Sequence, residues 1–250
     1  MNSLTRLSIS ALLLATPLVS PLVYADSSSF SDAQREELKT LIKQALVDDP
    51  SILKEAINAL QDYEETQAQN AQQDFLKGQA QAIFANPNDP WFGAAEPKLV
   101  MTYFTDFNCP YCKRIEPHLT KLVEAFPELQ IRVKMVPLLG ESSKEAVRFA
   151  QTVWQHEPEK YLPLKKLLMA KPSRLDSASI AQAAKATGTE QWLGKADTNI
   201  QTIINNNMNL MQALGLRGTP SLVFADQIVP GLVDYEQLHA GVEKALAMQE

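Results

Sequence analysis

The sequence predicts an α/β fold: a strand–helix–strand unit, an all-helical insertion and a closing hairpin with a helix, preceded by a separate helical segment. Three observations carry this prediction. An apolar run of strand length, Leu99 to Phe104, leads into a stretch with helical spacing of apolar residues, Ile115, Leu119, Leu122, Val123 and Phe126. The two cysteines of the 250-residue chain, Cys109 and Cys112, sit at that junction. A second strand pattern, Leu129 to Val136, is then followed by helical segments until strand patterns return near Ser221.

In chain order, Met1 to Ala25 has a short positive segment around Arg6, an apolar core from Leu7 to Ala15 and a small-residue ending at Val23-Tyr24-Ala25. This predicts a secretory signal peptide cleaved before Asp26. Pro17 and Pro21 interrupt a stretch already short for a membrane span, so an uncleaved anchor is the lesser alternative, and no cysteine follows to carry a lipid. Export places the chain in an oxidising compartment, read as the periplasm. With 23 basic against 29 acidic side chains and no basic cluster, nucleic acid is excluded as a partner.

Residues 26–90 are predicted as a helical oligomerisation segment and linker. Leu38, Leu41, Ile42, Ala45 and Leu46 form one apolar stripe, Asp49-Pro50 restarts the helix, and Ile52, Leu53, Ala56, Ile57 and Leu60 form a second. Beyond Leu60 the apolar anchors are sparse: Ala68, Ala71, Phe75, Leu76, Ile83 and Phe84. Burying a large apolar side chain is worth about 1.5–3 kcal/mol, so the stripes demand a partner surface. Lying ahead of a complete domain and joined through a polar helix, they favour another copy of the chain, as a dimer or trimer. Turn residues from Asn86 to Pro97 mark the boundary with a domain over 91–250.

Within that domain Cys109-Pro110-Tyr111-Cys112 falls where strand turns into helix. Unpaired backbone N–H groups and the positive end of the helix dipole favour a thiolate there. Cys109 is therefore the candidate nucleophile, with a lowered pKa and an exposed sulfur. Cys112, one turn inside, is the shielded resolving thiol. Pro110 suits the first helical position, Pro110 and Tyr111 tune the redox potential, and Lys113 and Arg114 add positive charge nearby. A structural staple is the poorer reading, because closing four residues gains only about 2 kcal/mol against about 3 for a 15-residue loop. A zinc site would have to recruit two of His118, His156 and His239, none at a recognisable spacing.

The helical insertion is predicted over about 142–214, with breaks near Glu157-Pro158, Lys171-Pro172 and Gly188, and with Trp154, Tyr161, Leu164, Leu167 and Leu168 in its core. Ser221 to Phe224 and Gln227 to Val229 flank Ala225-Asp226 as a hairpin, and Asp234 caps a last helix through Ala247. The order of elements is that of a thioredoxin fold with an all-helical block inserted.

Four separated motifs carry a closer likeness: Phe104 to Lys113 around the cysteines, Val136-Pro137-Leu138-Leu139-Gly140, Gly218-Thr219-Pro220 and Val229-Pro230-Gly231. Together they resemble the DsbA-like thioredoxin-fold proteins of the bacterial periplasm. The extension, through Asp48 to Leu60, is similar to the branch that carries an N-terminal oligomerisation segment, the ScsC- and Com1-like proteins, which are DsbC-like in function.

The resemblance implies a cis peptide between Thr219 and Pro220 facing the cysteines, with both residues in the substrate-binding position, where Thr219 pairs with a substrate main chain beside the mixed disulfide. It implies a thiol:disulfide oxidoreductase acting on unfolded or misoxidised exported proteins. No cofactor is required. A membrane partner recharges the pair, a DsbD-like reductase for isomerase work or a DsbB-like oxidase for oxidative work. Thr before the proline resembles the isomerases, where oxidases commonly have Val, so an oligomeric isomerase leads and a DsbA-like oxidase is the alternative. A further alternative is a copper-tolerance protein holding Cu(I) on the two thiolates, with Met101, Met135, Met208 and Met211 as possible thioether donors. One position departs from the family: Tyr103 stands where a buried Glu usually helps move the proton of the resolving thiol, which leaves that transfer to water.

Overall fold

The computed structural model describes residues 30–195, 198–225 and 227–248. The predicted signal peptide and its cleavage site lie outside the described residues, as does Asp226 of the hairpin turn. The chain divides into two compact units, Met1–Glu65 and Thr66–Glu250.

The first unit holds α1 (Asp32–Asp48) and the start of α2 (Pro50–Gly78). Ser31 opens α1 with a reciprocal capping box to Gln34. The break falls at Asp49, as Asp49-Pro50 predicts: the Asp49 carboxylate accepts from the Ser51 N–H at 3.0 Å, and Pro50 starts α2 where no donor is lost. The predicted stripe stays uncovered within this unit. Leu38, Leu41, Ile42, Ile52, Leu53, Ile57 and Leu60 are each 43–58% exposed.

The second unit is built on a five-stranded sheet. The end of α2 and α3 (Ala80–Phe84) lead into β1 (Trp91–Gly93) and β2 (Leu99–Thr105). Then come α4 (Pro110–Ala125) and β3 (Leu129–Met135), and after an insertion β4 (Ser221–Phe224), β5 (Gln227–Pro230) and α9 (Tyr235–Ala247). The sheet order is β1-β3-β2-β4-β5, with β2 and β3 parallel and the other pairs antiparallel. The insertion comprises α5 (Glu141–His156), α6 (Tyr161–Ala170), α7 (Ser177–Thr187) and α8 (Thr198–Ala213). Gly188 ends α7 in the left-handed region at φ 62°, as a helix-terminating glycine should.

Alternation along the strands assigns the two faces. Met101 and Tyr103 of β2, Ile131, Val133 and Met135 of β3, and Leu222 and Phe224 of β4 join the main core, which α4 closes with Ile115, Leu119 and Leu122 and α9 with Leu238 and Val242. Phe104 and Val223 point the other way, into a smaller cluster with Leu76, Ile83, Leu210, Met211 and Leu214. Thr102 Oγ1 donates to the Ile83 carbonyl at 2.6 Å and fixes α3 on that face. Leu76 and Ile83, expected in the linker segment, thus belong to the core of the second unit.

Three details differ from the sequence reading. The turn-rich stretch before Pro97 contains the edge strand β1, whose three residues are too few to display a period. Leu167 is 41% exposed, outside the core that Tyr161, Leu164 and Leu168 enter. Lys134 and Gln130, the polar half of the alternation in β3, are buried: Lys134 Nζ meets Asp89 Oδ2 at 2.5 Å and Gln130 Nε2 donates to the Ala94 carbonyl at 2.7 Å. The residues that alternation assigns to solvent are met there by the segments on either side of β1, Asp89 before it and Ala94 after it.

Candidate active site

β2 ends at Thr105 and α4 begins at Pro110, so the four intervening residues set the position of the first sulfur. Cys109 is the N-cap of α4, extended at φ −76° and ψ 118°, and its sulfur accepts from the Cys112 N–H at 3.4 Å. Pro110 occupies the first turn, where its missing N–H would have had no helical partner. Both thiols are free. Cys109 keeps 5% of its surface and Cys112 none, so the nucleophile candidate is less open than the sequence reading expects.

The Thr219–Pro220 peptide is cis, and the Cys109 thiol donates to the Thr219 carbonyl at 3.1 Å. Cys109, Pro110, Tyr111, Cys112, Thr219 and Pro220 are therefore gathered at one place, although Cys109 and Thr219 are 110 positions apart in sequence. Tyr111 is exposed beside them, with Arg114 5.7 Å from its ring centre.

The two sulfurs are pushed apart in acidity. The Cys109 thiol is lowered to about 6, first by a hydrogen bond from the Cys112 side chain, then by the Thr219 side chain and the N–H groups of Cys112 and Tyr111; burial opposes these donors and is outweighed. Burial dominates at Cys112 and drives its thiol far up, with the neighbouring Cys109 adding to the rise. At neutral pH the pair holds one thiolate and one thiol. That is the arrangement thiol–disulfide exchange requires, a nucleophile ionised at ambient pH beside a protonated partner.

Of the cations expected to assist, Lys113 has its ammonium hydrogen-bonded elsewhere. Lys113 Nζ donates to the Lys171 and Ser173 carbonyls at 2.6 and 2.8 Å, which commits it to the segment after α6. The acidity of Cys109 comes mainly from hydrogen bonds, those at the helix entrance and that of Thr219.

Sequence reasoning missed the residues that hold the loop. Asp106 is fully buried, and its carboxylate accepts from four donors: the Asn108 N–H at 2.8 Å, Ser143 Oγ at 2.8 Å, the Leu138 N–H at 2.7 Å and the Leu139 N–H at 3.0 Å. Its carbonyl accepts from the Cys109 N–H at 3.0 Å. Asn108 extends the network, donating to Ser142 and Ser143 and accepting from the Leu175 N–H at 2.7 Å. The cysteine loop is thereby pinned to the insertion at both 138–143 and 175. Two polar residues set into the apolar run before Cys109 were the available signal.

The methionines considered for Cu(I) are divided. Met101 and Met135 lie in the main core, Met208 and Met211 with the smaller cluster. Among the described residues no three of His, Cys, Asp and Glu come together as a metal site.

With this geometry in place, residues 85–244 match the thioredoxin family. Over 88% of the chain and 98% of its counterpart, the fold matches a crystal structure of Proteus mirabilis ScsC at 39% identity and a TM-score of 0.67. The chain belongs to the ScsC-like branch of the thioredoxin family. A periplasmic thioredoxin-like protein of Salmonella enterica serovar Typhimurium matches at 37% identity and a TM-score of 0.64, covering 67% of this chain and 95% of that one. Disulfide bond formation protein D of Bacillus subtilis is 21% identical over 63% of this chain and 77% of its own length. The ScsC-like chain is thus a thiol–disulfide oxidoreductase of the DsbA type. Among its described residues no helix is long and apolar enough to cross a membrane.

Proposed function

We propose that this ScsC-like protein acts in the periplasm as an oligomeric disulfide isomerase on exported proteins, with Cys109 as nucleophile and Cys112 as resolving thiol. The observation that carries the isomerase reading is the uncovered apolar face of the first unit, Leu38 to Leu60. A surface of that kind, placed ahead of a complete catalytic unit, suits self-association, which brings several reduced sites to one substrate.

The Cys109 thiolate attacks one sulfur of a substrate disulfide; a Cys109–substrate bond forms and the second substrate sulfur leaves as a thiolate. That thiolate, or another on the same substrate, attacks a new partner and finally displaces Cys109, so no net electrons move. If rearrangement stalls, Cys112 attacks Cys109, two electrons pass to the substrate, and the oxidised pair needs a DsbD-like reductase. Substrate binding is assigned to Thr219 and Pro220, with tuning by Pro110 and Tyr111. Leu138 and Leu139, exposed and tied to the cysteine loop through Asp106, offer apolar contact to an unfolded chain.

Refolding of scrambled ribonuclease tests this reading, comparing the chain from Asp26 with one trimmed to begin at Thr66. Trimming there keeps Leu76 and Ile83 in the catalytic core. Loss of isomerisation with dithiol exchange retained supports the isomerase; equal activity of the two chains overturns it in favour of a DsbA-like oxidase recharged by a DsbB-like partner.

A further inference from the structure

The chain carries 29 acidic against 23 basic side chains, yet the charges left unpaired around Cys109 are positive. Three exposed arginines lie on three segments that converge there: α4, the loop after α6, and the loop ahead of β4 that holds the cis Thr219–Pro220 peptide. Arg114, on α4, has its guanidinium 5.7 Å from the ring centre of exposed Tyr111. Arg174 precedes Leu175, whose N–H donates to Asn108 beside Cys109 at 2.7 Å. Its Nη2 stands so near Gly140 that a Cβ added there would meet it at 3.3 Å, which places the charge beside the Leu138–Leu139 turn. Arg217 comes two residues before Thr219, whose carbonyl the Cys109 thiol engages.

None of these three guanidinium groups pairs with a carboxylate among the described residues. The acids of the same segments are engaged elsewhere. Asp106 is buried with four donors on its carboxylate, and Glu141 pairs with Lys144 at 2.7 Å. Asp176 caps α7 and meets Lys171 at 3.3 Å, and Glu145 accepts from Ser177 at 2.7 Å. Lys113 has its ammonium on two carbonyls. What remains open beside the sulfur is guanidinium, the group whose planar fork matches a carboxylate with two parallel N–H bonds. The same segments expose Tyr111, Leu138 and Leu139, so unpaired cations and apolar side chains stand together.

We infer that this surface selects, among exported disulfide proteins, segments with Asp or Glu beside the cysteine under attack, Arg114, Arg174 and Arg217 engaging the carboxylates while Tyr111, Leu138 and Leu139 take apolar neighbours. The inference rests on the proposed action upon exported proteins and adds to it a preference by charge. The arginines act on the encounter and leave the sulfur itself to its contact donors, Cys112, Thr219 and the Tyr111 N–H. A surface of one sign raises the association rate of an oppositely charged partner by about 10–1,000-fold, and salt removes the gain. The preference runs against the net acidity of the chain, which without a local cationic surface would repel an acidic segment.

The test uses the reduced chain from Asp26 and three short peptides of one sequence, each with a single cysteine held as its S-methyl disulfide and flanked by Glu, Gln or Lys. Cys109 attacks the peptide disulfide and Cys112 displaces the bound half. The pair becomes a disulfide, and peptide thiol and methanethiol leave with the proton of Cys112 and one from solvent. Acid quenching and mass spectrometry give the rate constants. The Glu peptide is expected to react about tenfold faster than the Gln peptide at low ionic strength and the Lys peptide more slowly than either, with all three within about twofold at about 0.5 M salt. Combining Arg114→Gln, Arg174→Gln and Arg217→Gln should bring the Glu-to-Gln ratio within about twofold at low salt, and a general loss of reactivity cancels in that ratio. Equal rates for the Glu and Gln peptides with the wild type, or an unchanged ratio in the triple variant, overturns the inference. The salt series needs no variant, so a triple variant that does not fold leaves the inference refutable. A Gln peptide reduced no faster than by free cysteine would instead remove the proposed function, a separate readout.

Discussion

The thiol of Cys109 donates to the carbonyl of Thr219 at 3.1 Å, and a thiolate cannot make that bond. Ionising Cys109 therefore releases the Thr219 carbonyl at the same moment as it creates the nucleophile. Under the proposed function, a substrate main chain arriving beside the sulfur finds an acceptor that the thiol engaged in the protonated state.

The first prediction concerns pH. With Cys109 lowered to about 6, its alkylation by iodoacetamide should level off above that value and fall about tenfold per pH unit below it. Cys112→Ala removes the donor that contributes most to this lowering and should move the midpoint upward. An unchanged midpoint would show that the helix entrance alone sets the acidity.

The same ionisation is linked to stability. An unfolded cysteine titrates near 8.5, so between about 6 and 8.5 the unfolded reduced chain binds the proton that folded Cys109 has given up. Stability of the reduced protein should rise with pH across that window and be lost as pH falls through about 6. Cys112 has the opposite sign: its raised thiol makes the reduced fold lose stability above about 8.5. Urea denaturation of wild type and Cys109→Ser should differ in slope between pH 6 and 8.5 and converge below it.

Asp106→Ala leaves the Leu138 and Leu139 N–H groups without their acceptor and detaches Ser143 from the cysteine loop. A loss of about 2–4 kcal/mol is expected, together with slower attack by Cys109. A denaturation midpoint within error of wild type would contradict the structural role given to this carboxylate.

Asp89 and Lys134 form a buried ion pair in which burial outweighs attraction at both ends, raising the Asp89 carboxyl and lowering the Lys134 amine. Lys134→Met alone strands a buried acid and should cost about 3–5 kcal/mol. Adding Asp89→Leu should recover most of it, since desolvation rather than attraction dominates the pair. Denaturant midpoints of the single and double variants check this.

Replacing Ile42, Leu53 and Ile57 by Ser should reduce the solution mass to that of one chain and abolish isomerisation while Cys109 alkylation stays unchanged. Light scattering alongside the ribonuclease assay reads both. A single-chain mass for the wild type would remove the assembly.

The cysteine helix, the hairpin, the insertion and the cap at Asp234 were legible because each is written in adjacent residues: a motif at a strand–helix junction, an alternating run, a turn pair, a capping side chain. The Thr219–Pro220 placement was legible through resemblance. What sequence did not disclose depends on contacts between distant segments. Asp106 reaches residues 138, 139 and 143, Lys134 finds Asp89 45 residues away, and Lys113 turns toward 171 and 173. Polar residues in an alternating strand ordinarily face water, so nothing local marked Lys134 as interior. The charge of Lys113, adjacent to the motif, suggested a helper for the thiolate until its carbonyl partners were seen.

That redirected lysine has a practical corollary. Because the largest contributions to the acidity of Cys109 come from donors at contact distance rather than from surface cations, dissolved electrolyte should screen little of it. Toward an uncharged reagent, the sulfur should react almost equally well in dilute and in briny media.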